Sequence, residues 1–244
     1  MIISLQLYSI KEEVEKDFDN ALGMTKKAGY QGVEFAGYHG KTPDELVEML
    51  AKHGLKAVSS HTPMERLRNS LDEEFNYAKK LGHNMIVCPY LDWKTEEAII
   101  EDAKFLETCA QKAAAEGITI GYHNHAHEFK YFGEKYAMDI LFDNMPSVKF
   151  EPDVFWIAHA DVDPITYLKP FAASGRICAI HAKEISKEGK TNVYIGEGRI
   201  DFSGLADLCP PSEYYYIAEQ EAFTTDYFDG ISRCYQGLIS QLKK

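Results

Sequence analysis

The amino-acid sequence predicts an α/β protein, a single (β/α)8 barrel spanning residues 1–244. Eight short apolar runs recur along the chain, and helical patterns separate them. Strand after strand also ends in Glu, Asp or His, where ordinary junctions favour Gly, Asn and Ser. An open doubly wound sheet would share the alternation. No glycine fingerprint follows the first strand, however, so a nucleotide cradle of that kind is absent.

The elements follow in order. Ile2 to Tyr8 reads as a first strand, and an amphipathic helix from about Lys11 to Ala28 stops at Gly29. Gly32 to Ala36 is a second strand. Thr42-Pro43-Asp44-Glu45 starts a helix, with a capping residue before Pro at its first position, and Gly54 ends it. Leu55 to Ser60 delivers His61, and a helical pattern from about Glu65 to Leu81 ends at Gly82. Asn84 to Pro89 is a fourth strand, followed by a helix from Thr95 to about Glu116. Gly117 to Ile120 is a short buried strand that leads into the histidine cluster, and a helix around Ala137 to Met145 follows. Val148 to Asp153, Arg176 to Ile180 and Tyr214 to Ala218 complete the strands, with helices at Pro164 to Ala173 and Asp226 to Leu242.

Composition bounds the function. Forty-five per cent hydrophobic residues is enough for a sizeable core, and no linker divides the chain. A formal charge of −12 repels phosphate backbones and anionic membranes, so neither nucleic acid nor membrane is an expected partner. The short basic pairs Lys26-Lys27 and Lys79-Lys80 fall on outer helices. Five cysteines without a CxxC pair suggest no disulfide framework and no thiolate zinc site, in keeping with a reducing compartment. With no basic, apolar leader and no spanning run of roughly 20 apolar residues, a soluble cytoplasmic protein is expected.

The densest chemistry lies at Gly121-Tyr122-His123-Asn124-His125-Ala126-His127-Glu128-Phe129. In an extended chain His123 and His125 face the same way, and Tyr122 and Asn124 the other. Residues after barrel strands converge on one mouth. Here they are Glu34, His61, His123 with His125, Glu151 with Asp153, His181 with Lys183, and Glu219 with Glu221. Carboxylates and imidazoles without thiolates suit Mn, Mg, Co or Zn ions. Such an ion polarises a carbonyl and stabilises an enediolate while a neighbouring acid or base moves the proton. Lys183 would hold a substrate oxygen, and Tyr8, Phe35, Trp93 and Trp156 are candidate pocket walls.

These strand ends resemble the sugar phosphate isomerase/epimerase family with its xylose isomerase-like barrel. The resemblance is carried by Val33-Glu34-Phe35, Ser60-His61-Thr62-Pro63, the run from Tyr122, Glu151-Pro152-Asp153-Val154-Phe155-Trp156, His181-Ala182-Lys183-Glu184, Gly196-Glu197-Gly198-Arg199-Ile200-Asp201-Phe202 and Ala218-Glu219-Gln220-Glu221. It implies one divalent ion held by Asp153, His181, Glu219 and a fifth-strand residue, which here is His123, with Glu128 as the alternative. His125 and Glu128 become candidate acid/base groups, with Glu221 as a further one. Glu34, His61, Trp156 and Arg199 become candidate substrate contacts.

The pattern departs from plain ketose 3-epimerases at two places. Trp156 stands where they carry a histidine, and Arg199 is the nearest candidate for their arginine. Barrels with a histidine pair after the fifth strand resemble inosose dehydratase and lyases of 3-keto-glycosides. The expectation is therefore a sugar isomerase or epimerase, with a lyase or dehydratase on a 3-keto sugar or inosose as alternative. A DNA endonuclease of the same barrel is disfavoured by charge, and a non-catalytic sugar-binding subunit is the remaining class. A small-molecule sugar is the expected partner, with a homodimer contact near Tyr227 and Tyr235 as a further candidate.

Overall fold

The computed structural model describes residues 1–242. Eight parallel strands carry the architecture: β1 (Ile3–Gln6), β2 (Gly32–Ala36), β3 (Lys56–His61), β4 (Met85–Cys88), β5 (Thr119–His123), β6 (Lys149–Glu151), β7 (Ala179–Ala182) and β8 (Tyr215–Ala218). They pair in the order β6-β5-β4-β3-β2-β1-β8-β7. Between β6 and β7 the ring is joined by isolated bridges, Phe150 with Ile177 and Asp153 with His181. The (β/α)8 barrel expected from the alternation is the fold. Two small hairpins, Tyr131–Phe132 with Lys135–Tyr136 and Glu184–Ile185 with Asn192–Val193, decorate the loops after β5 and β7.

Local chemistry explains where helices begin and end. The helix Pro43–His53 opens with Thr42 and Glu45 in a reciprocal capping box and ends at Gly54, whose φ is 63°. The expected helix from Lys11 to Ala28 is instead two, Lys11–Lys16 and Phe18–Ala28, because Asp17 leaves the helical region to cap Asn20 N–H. The expected helix to Leu81 likewise breaks at Ser70 into Met64–Asn69 and Leu71–Leu81. Two short helices were not anticipated, Val154–His159 and Phe202–Leu208.

Inside the barrel, residues two apart on one strand face the lumen at successive heights. The lower layer is apolar or small: Val58, Met85, Ala179 and Ile217 pack together. Gly32 belongs to it, since a Cβ there would meet Ser4 Oγ at 2.6 Å. The next layer on the same strands is polar, with Glu34, His123, His181 and Glu219 all buried. On β3 strict alternation fails. Val33 pairs with Ala57 and Glu34 with Ser59, so Val58 is an extra residue, and this β-bulge turns both Ser59 and His61 inward.

The loop after β7 is held by a buried side chain. The Glu184 carboxylate accepts backbone N–H bonds from Ile185, Gly196 and Ile200 at 3.1, 3.3 and 2.9 Å. Gly198 is required there, because a Cβ would lie 2.0 Å from Ile185 O. Tyr227 and Tyr235 are engaged within the chain. The first donates to Glu12 at 2.5 Å, and the second accepts from Gln31 Nε2 at 3.0 Å with its ring edge on Tyr30.

Candidate metal centre at the barrel mouth

The loop after β5 is tied down by its own side chains. Glu128 is fully buried and accepts from the Tyr122 hydroxyl and from the His125 backbone N–H, each at 2.8 Å. Asn124, also buried, accepts from Asp153 N–H at 2.9 Å and so joins the end of β5 to the end of β6. Asp153 is itself divided. Its Oδ1 caps the helix Val154–His159, accepting from Phe155 and Trp156 N–H at 2.8 and 3.2 Å, while its buried Oδ2 has no partner.

Two groups of four donors meet here, His123, Asp153, His181 and Glu219 on one side and His61, His123, Glu151 and His181 on the other. Within each group the ligand atoms lie within 4.8 Å of one another. His123 and His181 belong to both because each presents opposite ring nitrogens to the two sides. Toward the inner side, His181 Nε2 lies 2.6 Å from Glu34 and 3.3 Å from Glu151, and His61 Nε2 lies 2.8 Å from Glu151. Gln6 Nε2 and Ser59 Oγ complete Glu34 at 2.6 and 2.5 Å. Toward the outer side, His181 Nδ1 is 3.1 Å from Glu219, and His123 Nε2 is 3.9 Å from the unpartnered Asp153 Oδ2.

The charges are crowded. Burial pushes the Glu34 carboxyl up, but His61 and His181 outweigh it and hold it at about 2. Glu151 rises to about 7 through burial and the Glu34 charge, and Asp153 rises to about 7 through burial and Glu219. Burial lowers His61 and His181, yet the carboxylates around them win and raise both. His123 and His125 go the other way, driven down by burial, His125 to about 4. Two acids thus titrate near neutrality and two imidazoles are held neutral beside ionised partners. Oxygen and nitrogen donors with no thiolate, one buried carboxylate oxygen unpartnered, and crowded uncompensated acids fit a divalent cation.

A cavity of about 490 Å³ opens on this cluster, walled by Tyr8, His61, His123, His125, Trp156, Glu219 and Glu221. His123 and His125 face it together, as alternation requires, with ring centroids 5.3 Å apart. Lys183 is 1 % exposed, lies 4.8 Å from the Trp156 ring and pairs with Glu221. Burial lowers its ammonium, but Glu219, Asp153 and Glu221 outweigh this and raise it.

Several expected residues lie elsewhere. Glu128 is in neither donor group, since its oxygens are spent on the loop. Glu34 sits beneath His181 and is not a pocket wall, and Arg199 borders a separate cavity with Asp161 and Asp201. Phe35 and Trp93 are core side chains, the Trp93 indole donating to Asp102 at 2.9 Å. The sequence reading passed over Gln6, Asn124 and Tyr90. Gln6 was findable, being the inward residue at the end of β1. Tyr90 covers the pocket with its ring 5.3 Å from that of His125.

The family model for the xylose isomerase-like TIM barrel matches residues 22–209. The chain belongs to that family. No curated protein matches it. Among solved structures it is similar to a sugar phosphate isomerase/epimerase from Parabacteroides distasonis, at 24% identity and a TM-score of 0.81 over 97% of each chain. It is also similar to an IOLI protein with a binding zinc atom, at 16% identity and a TM-score of 0.76 over 100% of this chain and 98% of that one. A third is the probable 3-DHS dehydratase AsbF from Bacillus anthracis, at 14% identity and a TM-score of 0.74 over 98% and 99%. At these identities the likeness is one of fold. Among the described residues no helix is long and apolar enough to cross a membrane.

Proposed function

We propose that this barrel is a divalent-metal-dependent enzyme that isomerises or epimerises a sugar or keto-sugar by moving the proton next to a carbonyl. The observation that carries the reading is the outer donor group, in which His123, Asp153, His181 and Glu219 converge around the unpartnered Asp153 Oδ2. These four residues would hold the ion. When bound, it supplies Lewis-acid polarisation of a carbonyl. Glu34 bonds the opposite nitrogen of His181 and fixes which nitrogen faces outward, and Glu151 lies 3.5 Å from the inner nitrogen of His123.

The chain's own groups then divide the work. His125 walls the cavity and is neutral near pH 7, so it can accept a proton from the carbon beside the carbonyl. Lys183 stays cationic behind Glu219 and Glu221 and limits the negative charge at that wall. His61 and Trp156 position the sugar, and Tyr8 and Tyr90 narrow the entrance.

A second reading, a lyase or dehydratase on a 3-keto sugar, is supported by one further feature. Lys183 after β7 and Glu221 after β8, two and three strands round the barrel from His125, form a pair in which the buried ammonium stands behind the Glu221 wall and could supply a proton to a leaving oxygen.

The test is solvent deuterium incorporation into a panel of keto-sugars by metal-loaded protein. Exchange that disappears in His125→Ala is expected, and the product distinguishes epimer from eliminated sugar. No exchange with any member under Mn, Co, Mg or Zn would contradict catalysis.

A further inference from the structure

The metal cavity does not end at the metal. A second cavity, of about 430 Å³, shares Gly37, His61 and Pro63 with it. His61 thus lines both, with the metal cluster on one side and a chamber of mixed aromatic and charged lining on the other. The loops after β2 and β3 build that chamber.

Its lining has a specific chemistry. Arg66 donates to the buried Glu74 through Nε and Nη2, at 2.8 and 2.5 Å, and the same Nη2 lies 3.1 Å from Glu73. The Arg66 and Glu73 side chains are 41% and 52% exposed, so donors and acceptors stand side by side at an accessible surface. Tyr38 and Tyr77 stack at 3.9 Å and 4° and form an aromatic wall. The one guanidinium here is already matched by two carboxylates. The His61 imidazole is likewise taken up by Glu34 and Glu151, so among the described residues neither group is left over for a phosphate, whereas adjacent hydroxyls, which both donate and accept, match such an array.

We infer that the cleft is bipartite, and that its second chamber binds an uncharged hydroxylated unit joined to the reacting sugar. The substrate is then a two-unit glycoside, not a monosaccharide phosphate. This rests on the metal cavity being the reacting end, but its test needs no turnover.

The test is calorimetric titration of the full chain, with and without Mn²⁺, using glucose, glucose 6-phosphate, cellobiose, maltose and trehalose as probes. At least one two-unit sugar should bind roughly tenfold or more tightly than glucose, a gap of about 1.4 kcal/mol. Glu73→Ala and Arg66→Lys should shrink that ratio toward one while leaving metal content intact. Lysine keeps the charge beside Glu74, so folding is retained, but it loses the planar fork. Two-unit sugars that bind no better than glucose, an advantage that survives both variants, or tightest binding by glucose 6-phosphate would overturn the inference. If deuterium exchange is absent and the two-unit preference holds, the reading of the reaction fails and the bipartite cleft stands.

Discussion

Two layers of the same barrel, two residues apart, have opposite physics. In the lower one, Val58, Met85, Ala179 and Ile217 fill the lumen with apolar atoms. In the upper one the chain buries Glu34, Glu151, Asp153 and Glu219 against the Lys183 ammonium and the raised imidazoles of His61 and His181. On β8 the change is from Ile217 to Glu219, and on β7 from Ala179 to His181. The lower layer contributes burial energy. The upper layer costs stability, because buried charge is expensive unless it is paired or holds a metal. The barrel thus keeps an uncomfortable cluster in place with a comfortable one beneath it.

If that contrast is right, substitutions in the two layers should give different readouts. Asp153→Ala and His181→Ala should each abolish stoichiometric metal, by elemental analysis, and each should also lower the stability of the metal-free protein, the first by uncapping Val154–His159 and the second by leaving the buried Glu34 and Glu219 carboxylates short of a partner. His125→Ala, one step nearer the solvent, should keep the metal and lower the rate by about 10²–10⁴. Ile217→Ala should do the reverse, costing roughly 2–5 kcal/mol in denaturant titration while the folded fraction binds metal normally. Glu34→Gln, beneath His181, should weaken metal affinity about 10–100-fold without abolishing it.

The entering end of the barrel also carries a titrating group, and the sign of its effect is definite. Burial brings His83, just before β4, down to about 4 from an ordinary 6.5. Between those values the unfolded chain binds a proton that the folded one does not, so stability falls as pH drops from 6.5 through about 4. The loss amounts to about 3 kcal/mol. His83→Leu should flatten that acid limb of the melting-temperature profile and leave metal content unchanged.

Much of this was legible in the residues. Glycines at helix ends, such as Gly54 and Gly82 with φ of 63° and 78°, punctuate the chain, and the strand-end rule collected the cluster at the mouth. What stayed hidden depended on geometry that composition does not encode. The extra residue at Val58 decides that His61 faces inward, and Asp17 and Ser70 break helices whose apolar periodicity runs through them. Glu128 reads as a metal or proton-transfer group until its oxygens are seen bonded to Tyr122 and His125. Arg199 follows a motif that belongs to the loop built on Glu184, and so it points to another cavity.

The most direct test is titration of the metal-free protein with Mn²⁺, read as ions bound per chain. One ion per chain, lost when Asp153 and His181 are replaced, is the expected result. No binding, or a stoichiometry that survives both replacements, would contradict the account.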